Sequence, residues 1–542
     1  MGIDVGTGEP VPIPASERRA GPHRAGRHGG RRVSAWFSPV AWLVAVVPGV
    51  LGLITGGYHV GVPPIWGDEG VTKEMAARPV GGLLATMPHD DVVHGAYYLV
   101  VHVVETVVGS SAPTVLRLPS VVAMAVAAAF TALIARRLAA LAGSPHPAVT
   151  GLAAGVLFAL LPVVIRYAQE ARSYAIVTMF AAIATYLLLR AVSAGGRWWI
   201  GYGVAVALTG LFNIFGLLIL LAHGVSLLIA GRGRAPARWV LAGTAAMVVL
   251  LPVVVLAYAQ RGALAWMTGH PPIGSTAASL AHGWAGAPQV VWPVFGLAAF
   301  GVVADVIAGR RRRLRVTPGS VAAPWLVLPT AVLLFASQVH PVFDSRYVEY
   351  CLPALAILVA WGLDWLARVV AAAVPPLRRA GLAWLSWLPS AAILAVIVVP
   401  LIPAGAAMRL PSSRPDNLPL DSQIVADNAR PGDIVFFIPI SYRPIEVEYP
   451  AQWRNVRDIA QAESPVASNT LYGTDVSPAE LLKRFTDVTR VWVYSAPSDS
   501  AYLNSARATP VDKQEALLVS RMRLVRQWRD GDKMLSLYEV RG

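Results

Sequence analysis

The chain has 542 residues, of which 55% are hydrophobic and only 14% charged, and its net charge is +14. Soluble domains carry about a quarter charged residues, so this composition excludes an ordinary soluble protein. The basic residues form short clusters between long apolar runs, a pattern that indicates membrane topology rather than nucleic-acid binding. The single cysteine, Cys351, excludes an intrachain disulfide.

The chain opens with a polar, basic segment over residues 1–35, which predicts a disordered cytoplasmic tail and not a cleaved signal peptide. Apolar runs long enough to cross about 30 Å of hydrocarbon then recur up to residue 404. Together they predict a polytopic α-helical membrane domain over 36–404 with about eleven transmembrane helices. The predicted spans are 36–57, 118–138, 147–165, 173–193, 198–213, 214–230, 238–258, 288–308, 321–339, 347–371 and 381–404.

The stretch 198–230 allows two interpretations. Asn213 and Gly216 interrupt it within LFNIFG and predict two crossings, whereas one long tilted helix would invert everything downstream. With the break and a cytoplasmic N-terminus every basic cluster lies inside, but without it the cluster at 309–315 lies outside, against the positive-inside rule. We therefore expect the loop over 58–117, the RYAQEARSY loop and the chain after 404 to be extracytoplasmic.

Composition changes after residue 405. A linker rich in Pro, Ser and Asp comes first, and the strand-like runs DIVFFIPI, RVWVYSA and MLSLYEV then alternate with helical runs such as PAELLKRFTD. This alternation predicts a small soluble α/β domain over 405–542.

Four groups of polar residues fall on the predicted outer loops or at outer helix ends. Carboxylates next to hydrocarbon are costly unless they are paired or functional. A carboxylate at a site that excludes water can take the proton of a sugar hydroxyl as a general base, and nearby arginines can hold a phosphate. The groups are Asp68 and Glu69; His89, Asp90, Asp91, His94, Tyr97 and Tyr98; Arg166, Gln169, Glu170, Arg172 and Tyr174; and His340, Asp344, Arg346, Tyr347 and Glu349.

Simpler roles also fit these residues. Adjacent Asp and Glu after a glycine favour a helix start, interfacial arginines extend to lipid headgroups, and tyrosines such as Tyr97 and Tyr98 are common at membrane interfaces. No two of the histidines have a recognised zinc spacing, so no metal site is predicted.

The order of the groups resembles a known family. DEGVTKEMAARPVGGLLATMPHDDVVHGAYYLVVHVV, followed by LRLPSVVAMAVAAAFTALIARRL, is similar to the start of bacterial GT-C glycosyltransferases of the protein O-mannosyltransferase and aminoarabinose transferase type. YAQEARSY resembles the family's Gln-Glu-Ala-Arg segment, and SRYVEYCLPALAILVAWGL resembles its late Arg-Tyr helix. The resemblance covers residues 36 to 400, but His94-Gly95-Ala96 stands where the family has His-Pro-Pro.

The resemblance implies a GT-C fold and an inverting transferase that uses a polyprenyl-phosphate sugar. It implies that Asp68 is the general base toward the acceptor and that two further acidic residues orient the acceptor or the sugar. The implied catalytic residues are Asp68, Glu69 and Glu170; the donor phosphate is assigned to Arg172, Arg346 and Arg166, and substrate binding to His94, Asp91, Tyr98, Gln169 and Tyr347.

We therefore expect a multi-pass plasma-membrane enzyme that moves a sugar, in the first place mannose, from polyprenyl phosphate to an acceptor hydroxyl outside. Transfer of arabinose or another pentose is the alternative within the class, and a lipid or sugar transporter is the alternative from another class. Expected partners are the lipid-linked donor, an acceptor glycan, peptide or protein, and membrane lipids, with no nucleic acid. No cofactor is required by this interpretation, and a divalent ion remains an open alternative.

Overall fold

The computed structural model describes Met1, Gly2 and residues 39–541, except 232, 265–266, 268–269, 271, 313–315, 375–382, 498 and 506. The predicted tail over 1–35 therefore lies outside the described residues beyond its first two positions. The same holds for residues 313–315 and 375–381 of two basic clusters.

Helices form most of the described chain up to residue 407. They are α1 (Pro39–Gly57), α2 (Gly67–Ala77), α3 (Val80–Thr86), α4 (Val92–Val108), α5 (Pro113–Leu116), α6 (Leu118–Leu141), α7 (Pro147–Leu160), α8 (Pro162–Ala168), α9 (Tyr174–Ala194), α10 (Trp198–Phe212), α11 (Ile219–Ala230), α12 (Ala235–Ala259), α13 (Ile273–Ala285), α14 (Val291–Arg312), α15 (Pro318–Ala336), α16 (Leu352–Ala373) and α17 (Leu388–Ala407). Each predicted apolar run overlaps at least one of these helices.

Within the described residues, seven helices are long and apolar enough to cross a membrane. An eighth span results if α7 and α8, which are bent by 62°, form one broken span. The bend follows from Pro162, because the residue before a proline is driven out of the helical region, and Leu161 accordingly has ψ 126°. The remaining predicted spans correspond to shorter apolar helices, so the count of eleven crossings stays a prediction.

The interruption predicted within 198–230 is confirmed as a helix break. Helix α10 ends where Asn213 takes an extended conformation (φ −164°), and the Asn213 Oδ1 atom accepts a hydrogen bond of 2.9 Å from the Phe215 N–H. A short 3-10 turn over Ile214–Leu218 follows and leads into α11.

The segment between α1 and α5 is largely helical and positions the site. Helix α2 stops at Ala77 because Arg78, which precedes Pro79, is extended with ψ 148°. Helix α4 begins after Asp91, whose φ of 54° is left-handed, and ends before Gly109, which has φ 71°. These turns lay α2 and α4 against each other.

Small residues allow the long helices to approach closely. A Cβ atom on Gly362 of α16 would lie 2.2 Å from the Leu297 carbonyl oxygen of α14, so only glycine fits there. Small residues commonly serve this purpose between membrane helices. The buried side chain of Trp361 lies at the same pair of helices, where a Cβ atom on Gly301 of α14 would be 3.2 Å from its ring.

The chain after residue 407 contains the predicted alternation of strands and helices. The strands are β1 (Asp433–Phe437), β2 (Val456–Asp458), β3 (Gln461–Glu463), β4 (Thr474–Asp475), β5 (Arg490–Ser495), β6 (Arg523–Asp530) and β7 (Lys533–Glu539). The five-stranded sheet has the order β2-β1-β5-β7-β6, with β1 parallel to β2 and β5, and β7 antiparallel to β5 and β6. The helices are α18 (Leu418–Asn428), α19 (Pro444–Glu448), α20 (Pro450–Trp453), α21 (Pro465–Ser468), α22 (Pro478–Arg484), α23 (Asp499–Leu503) and α24 (Pro510–Ser520).

This C-terminal part packs on the segment that carries α2. The Lys73 ammonium lies 2.5 Å from the buried Glu448 carboxylate, and Arg78 donates a hydrogen bond of 2.8 Å to the Thr470 carbonyl. The strand-and-helix part therefore forms one wall above the site.

Candidate active site

Asp68 lies in the first turn of α2, between two arginines from distant parts of the chain. Its Oδ2 atom is 2.7 Å from Nη1 of Arg346 and 4.0 Å from Nε of Arg172. About a third of its side chain (33%) is exposed. Asp68 is therefore an ionised carboxylate that opens onto accessible space.

Arg172 connects Asp68 to a second carboxylate, Asp91, through the side chains of His94 and Tyr98 on α4. Its Nη2 atom is 3.0 Å from Nε2 of His94, and its Nη1 atom donates to the Tyr98 hydroxyl at 3.3 Å. The Nδ1 atom of His94 is 2.7 Å from Oδ1 of Asp91, whose other oxygen accepts from Tyr98. Since Arg172 can only donate, Nε2 of His94 accepts and Nδ1 carries the proton.

The charges of this network set its protonation. Burial raises the pKa of Asp68, but the opposing charges of Arg172 and then Arg346 outweigh it, so this pKa lies below its ordinary value. Burial and then the charge of Arg172 lower the pKa of His94. The ring is therefore neutral at pH 6.5 and above, where Asp68 is ionised.

Arg346 is held by residues of the loop before α16. Its Nε atom is 3.4 Å from Oδ2 of Asp344, and its guanidinium lies 5.9 Å from the ring centres of both Tyr174 and Tyr347. Tyr347 is itself buried against Phe215. The aromatic walls and Asp344 fix this cation beside Asp68.

Glu69, one residue beyond Asp68, points the other way into the protein. Its carboxylate has no exposed surface and binds Arg117 through two hydrogen bonds of 2.8 and 2.6 Å, while the Ala171 N–H donates to it at 2.7 Å. Arg117 also donates to the Val60, Pro63 and Pro64 carbonyl oxygens. This pair ties three loops together, and the catalytic role expected for Glu69 stays a prediction.

The loop between α8 and α9 contains the other predicted residues. Gln169 is buried and donates to the Gly56 and Tyr58 carbonyl oxygens at 2.9 and 2.8 Å, which anchors the end of α1. Glu170 is 1% exposed and lies 3.2 Å from Arg166. Burial raises the pKa of Glu170 despite the charges of Arg166 and Arg414. Their expected roles also stay predictions.

A cavity of about 610 Å³ lies beside this loop. Arg166, Tyr167 and Trp284 line it, together with Asp344 and Glu349. Within the described part of the chain, Trp284 Nε1 and Glu349 Oε2 are buried without a hydrogen-bond partner. Asp344 joins this cavity to Arg346 and thus to Asp68.

The structure thus brings together six predicted residues in one network, namely Asp68, Arg172, Arg346, His94, Asp91 and Tyr98. It places Glu69, Gln169, Glu170 and Arg166 in adjoining buried contacts and Tyr347 against Arg346. Sequence reasoning missed Arg117 as a site residue, although LRLP was part of the family pattern. It also missed Arg414, which donates to the Gln169 carbonyl oxygen at 2.6 Å and stands in a linker without any motif.

Among the described residues, no group of three or more His, Cys, Asp or Glu side chains is arranged to hold a metal ion. The cations beside Asp68 in this network are the guanidinium groups of Arg172 and Arg346.

Comparisons with known proteins found one matching family model and several similar folds. Residues 96–258 match the family model described as dolichyl-phosphate-mannose-protein mannosyltransferase, and no curated protein matches the chain. ArnT from Cupriavidus metallidurans, solved with undecaprenyl phosphate, is similar with a TM-score of 0.53 and 16% identity, covering 92% of this chain and 98% of ArnT.

The oligosaccharyltransferase AglB from Archaeoglobus fulgidus, solved with an inhibitory peptide and dolichol-phosphate, gives a TM-score of 0.52 at 10% identity. This match covers 92% of the present chain and 74% of AglB. The apo form of the Archaeoglobus oligosaccharyltransferase gives 0.53 at 11% identity, with 89% and 73% covered. The predicted fold class is confirmed: the chain is a multi-pass membrane protein with the GT-C glycosyltransferase fold.

Proposed function

We propose that the protein is an inverting membrane glycosyltransferase that moves a sugar, mannose in the first place, from polyprenyl phosphate to an acceptor hydroxyl. The observation that carries this proposal is the partly exposed Asp68 carboxylate, which is held between Arg346 at 2.7 Å and Arg172 at 4.0 Å. A general base and cations for a leaving phosphate are the groups that such a transfer needs. The family match and the lipid phosphates in ArnT and AglB support the donor class.

The reaction is one displacement at the anomeric carbon. The acceptor oxygen attacks this carbon while Asp68 takes the hydroxyl proton, the bond to the phosphate oxygen breaks, and polyprenyl phosphate leaves with the bonding electrons. Arg346 and Arg172 stabilise the negative charge that develops on the phosphate.

Binding of the donor also changes the base. With both arginines beside it, Asp68 is ionised but weakly basic, since its pKa lies below the ordinary value. A donor phosphate that engages Arg346 and Arg172 offsets their charge and so raises the pKa of Asp68. The carboxylate thereby becomes a better base when a donor is present.

The neighbouring residues position these groups. His94 and Asp91 orient Arg172, Tyr347 supports Arg346, and the buried Glu69 and Gln169 hold the loops in place. Arg166 borders the cavity of about 610 Å³, which offers room for the sugar, and Glu170 lies 3.2 Å from Arg166. Its unpartnered Trp284 Nε1 and Glu349 Oε2 atoms suit sugar hydroxyls, and we assign the sugar to this space.

The test measures transfer from radiolabelled polyprenyl-phosphate-mannose by purified protein in lipid vesicles, with host membrane extract as acceptor. We expect Asp68→Asn to lose about 100-fold or more of the transfer, since an amide cannot take the proton, while it still binds the donor. Asp487→Asn is the matched control, because Asp487 lies in an exposed turn with φ 64°, a conformation that asparagine also adopts.

Transfer by Asp68→Asn at the wild-type rate would contradict the assignment of the base. If the protein transfers sugar from the arabinose donor but not from the mannose donor, the proposed donor sugar changes to arabinose and the proposed mechanism stays the same. Absence of transfer from both donors would overturn the proposed function.

A further inference from the structure

The helix that carries Asp68 begins without a cap from its own chain segment. Trp66 occupies the N-cap position of α2 and makes no side-chain cap hydrogen bond. The first N–H groups of a helix have no partner within the helix, and a missing cap weakens its first turn. Asp68 lies within this first turn, so its position depends on what holds these N–H groups.

A carboxylate from the C-terminal part takes this place. Oδ1 of Asp416 accepts a hydrogen bond of 2.9 Å from the N–H of Gly67, the first residue of α2. Asp416 is only 4% exposed and is separated from Gly67 by 349 residues of chain. Its negative charge also lies at the end of the helix where anions are favourable.

The surroundings of Asp416 hold it firmly against α2. The Leu418 N–H donates to the Ile65 carbonyl at 3.3 Å, and the Asp532 N–H donates to the Pro415 carbonyl at 2.8 Å. Lys533 lies 3.8 Å from Asp416 and offsets part of its charge. The turn between β6 and β7 thus binds the backbone just before Asp416, and the segment before α2 binds the backbone just after it.

This contact differs from the other links between the two parts. The Lys73–Glu448 pair contacts the middle of α2, and Arg78 contacts Thr470 beyond its end. Asp416 instead binds the residue next to Asp68. A shift of the first turn would therefore move the Asp68 carboxylate away from Arg346 and Arg172.

We propose that Asp416 is a positioning residue, through which the C-terminal part caps α2 and fixes Asp68 between its two arginines. This inference rests on the proposed function, because it assigns Asp416 an effect on the base. The C-terminal part would thereby contribute to the chemical step by holding the base in position.

The test removes the hydrogen bond from either end. Asp416→Ala removes the acceptor, whereas Asp416→Asn keeps an oxygen that can accept. Gly67→Pro removes the donor at a first helical position that tolerates proline, after a Trp66 residue already extended with ψ 171°. Gly67→Ala is its matched control, since it keeps the N–H and its Cβ atom would lie 3.4 Å from Asp416 Oδ2.

With the vesicle assay, we expect Asp416→Ala and Gly67→Pro each to lower kcat by about tenfold, as for loss of a helix cap, with little change in KM for the donor. The double variant should fall no further, because both changes remove one bond. Asp416→Asn and Gly67→Ala should stay within about twofold of wild type. The acid limb of kcat should move to higher pH in the two damaging variants, an effect that partial misfolding does not produce.

Hydrogen exchange of the amides in 68–77 gives a readout that does not depend on activity. We expect faster exchange at the start of α2 in Asp416→Ala than in Asp416→Asn. Equal exchange and equal kcat in these two variants would overturn the inference, and so would additive losses in the double variant. If Asp416→Ala fails to fold, Gly67→Pro against Gly67→Ala decides by the same criteria. Absence of transfer from both donors by the wild type, in contrast, would defeat the proposed function itself.

Discussion

At the residue scale, Asp68 and Glu69 show how adjacent carboxylates take different roles. Neighbouring helical residues point about 100° apart, so one faces open space and the other faces the core. Asp68 is 33% exposed between Arg172 and Arg346, whereas Glu69 is fully buried with Arg117. Removing one partner of such a buried pair typically costs about 3–5 kcal/mol. The exposed Asp68 carboxylate can thus react with a substrate, whereas the buried Glu69 carboxylate holds the surrounding loops in place.

The protonation of His94 leads to a prediction about pH. Its Nε2 atom accepts from Arg172, which a protonated ring cannot do. Burial and then the charge of Arg172 lower the pKa of His94 below 6.5, so the ring remains neutral as the pH falls through 6.5. Its contribution to stability is complete above that pH and is lost below it, because the unfolded chain takes up the proton first.

For Asp68 the lowered pKa keeps the carboxylate ionised, and its contribution to stability is lost only as the pH falls below 3.8. We therefore expect the transfer rate to stay constant through pH 6.5 and to fall only at lower pH, measured as a profile of kcat/KM. In His94→Gln, which has no titrating ring, the acid limb should move to lower pH. An acid limb centred above pH 6.5 in wild type would contradict the neutral His94.

The sequence was sufficient to identify site residues that stand in a motif, but it was insufficient to identify the residues that they contact in the folded protein. Asp68, Arg172 and Arg346 stand in recognisable patterns, and the structure joins them. The division between Asp68 and Glu69 depends on how α2 faces the core, which follows from tertiary packing. Asp416 stands in a linker, and its contact with Gly67 spans 349 residues, so no local pattern marks it.

At the element scale, breaks in the helices create the site. The loop between α8 and α9 carries Arg172, and the bend of 62° at Leu161 directs α8 towards this loop. The break at Asn213 was predicted from the sequence, whereas the bend before Pro162 falls inside the predicted span 147–165 and was missed, although a proline disfavours the helical conformation of the residue before it. The predicted span over 321–339 instead ends at Ala336, because the Ser337 Oγ atom accepts from the N–H of Val342 at 3.2 Å and turns the chain.

Close helix packing leads to a prediction for Gly362. A Cβ atom there would lie 2.2 Å from the Leu297 carbonyl, so Gly362→Ala must separate α14 from α16. We expect a loss of stability of about 1–3 kcal/mol, as for overpacking of a core, measured as lower thermal stability in detergent. Gly296→Ala in α14 is the matched control, since nothing lies within 4 Å of its Cβ position. Equal stability of both variants would contradict the close approach.

At the scale of the whole molecule, polar contacts gather between the segment of α2 and the C-terminal part. A transporter would need polar sites near the middle of the membrane, but there His223 of α11 is buried and makes hydrogen bonds of 3.0 Å to Thr185 and Tyr202. Both ring nitrogens are thus satisfied within the core. The distribution of charged groups therefore favours chemistry at one end of the helices over passage through them.

The last prediction concerns which side of the membrane this end faces. The bond between Gly67 and Asp416 requires the segment of α2 and the C-terminal part to lie on the same side. Arg190 and Arg197 flank the exposed Ala194 at the other end of α9, and the positive-inside rule places them in the cytoplasm.

Because Cys351 is fully buried, cysteines introduced at exposed positions report accessibility without interference from it. We expect an impermeant maleimide to label Ser111→Cys and Ser520→Cys on intact cells, and Ala194→Cys only after permeabilisation. Labelling of Ala194→Cys on intact cells would reverse the orientation, and labelling of Ser111→Cys and Ser520→Cys from opposite sides would contradict the packing of the two parts.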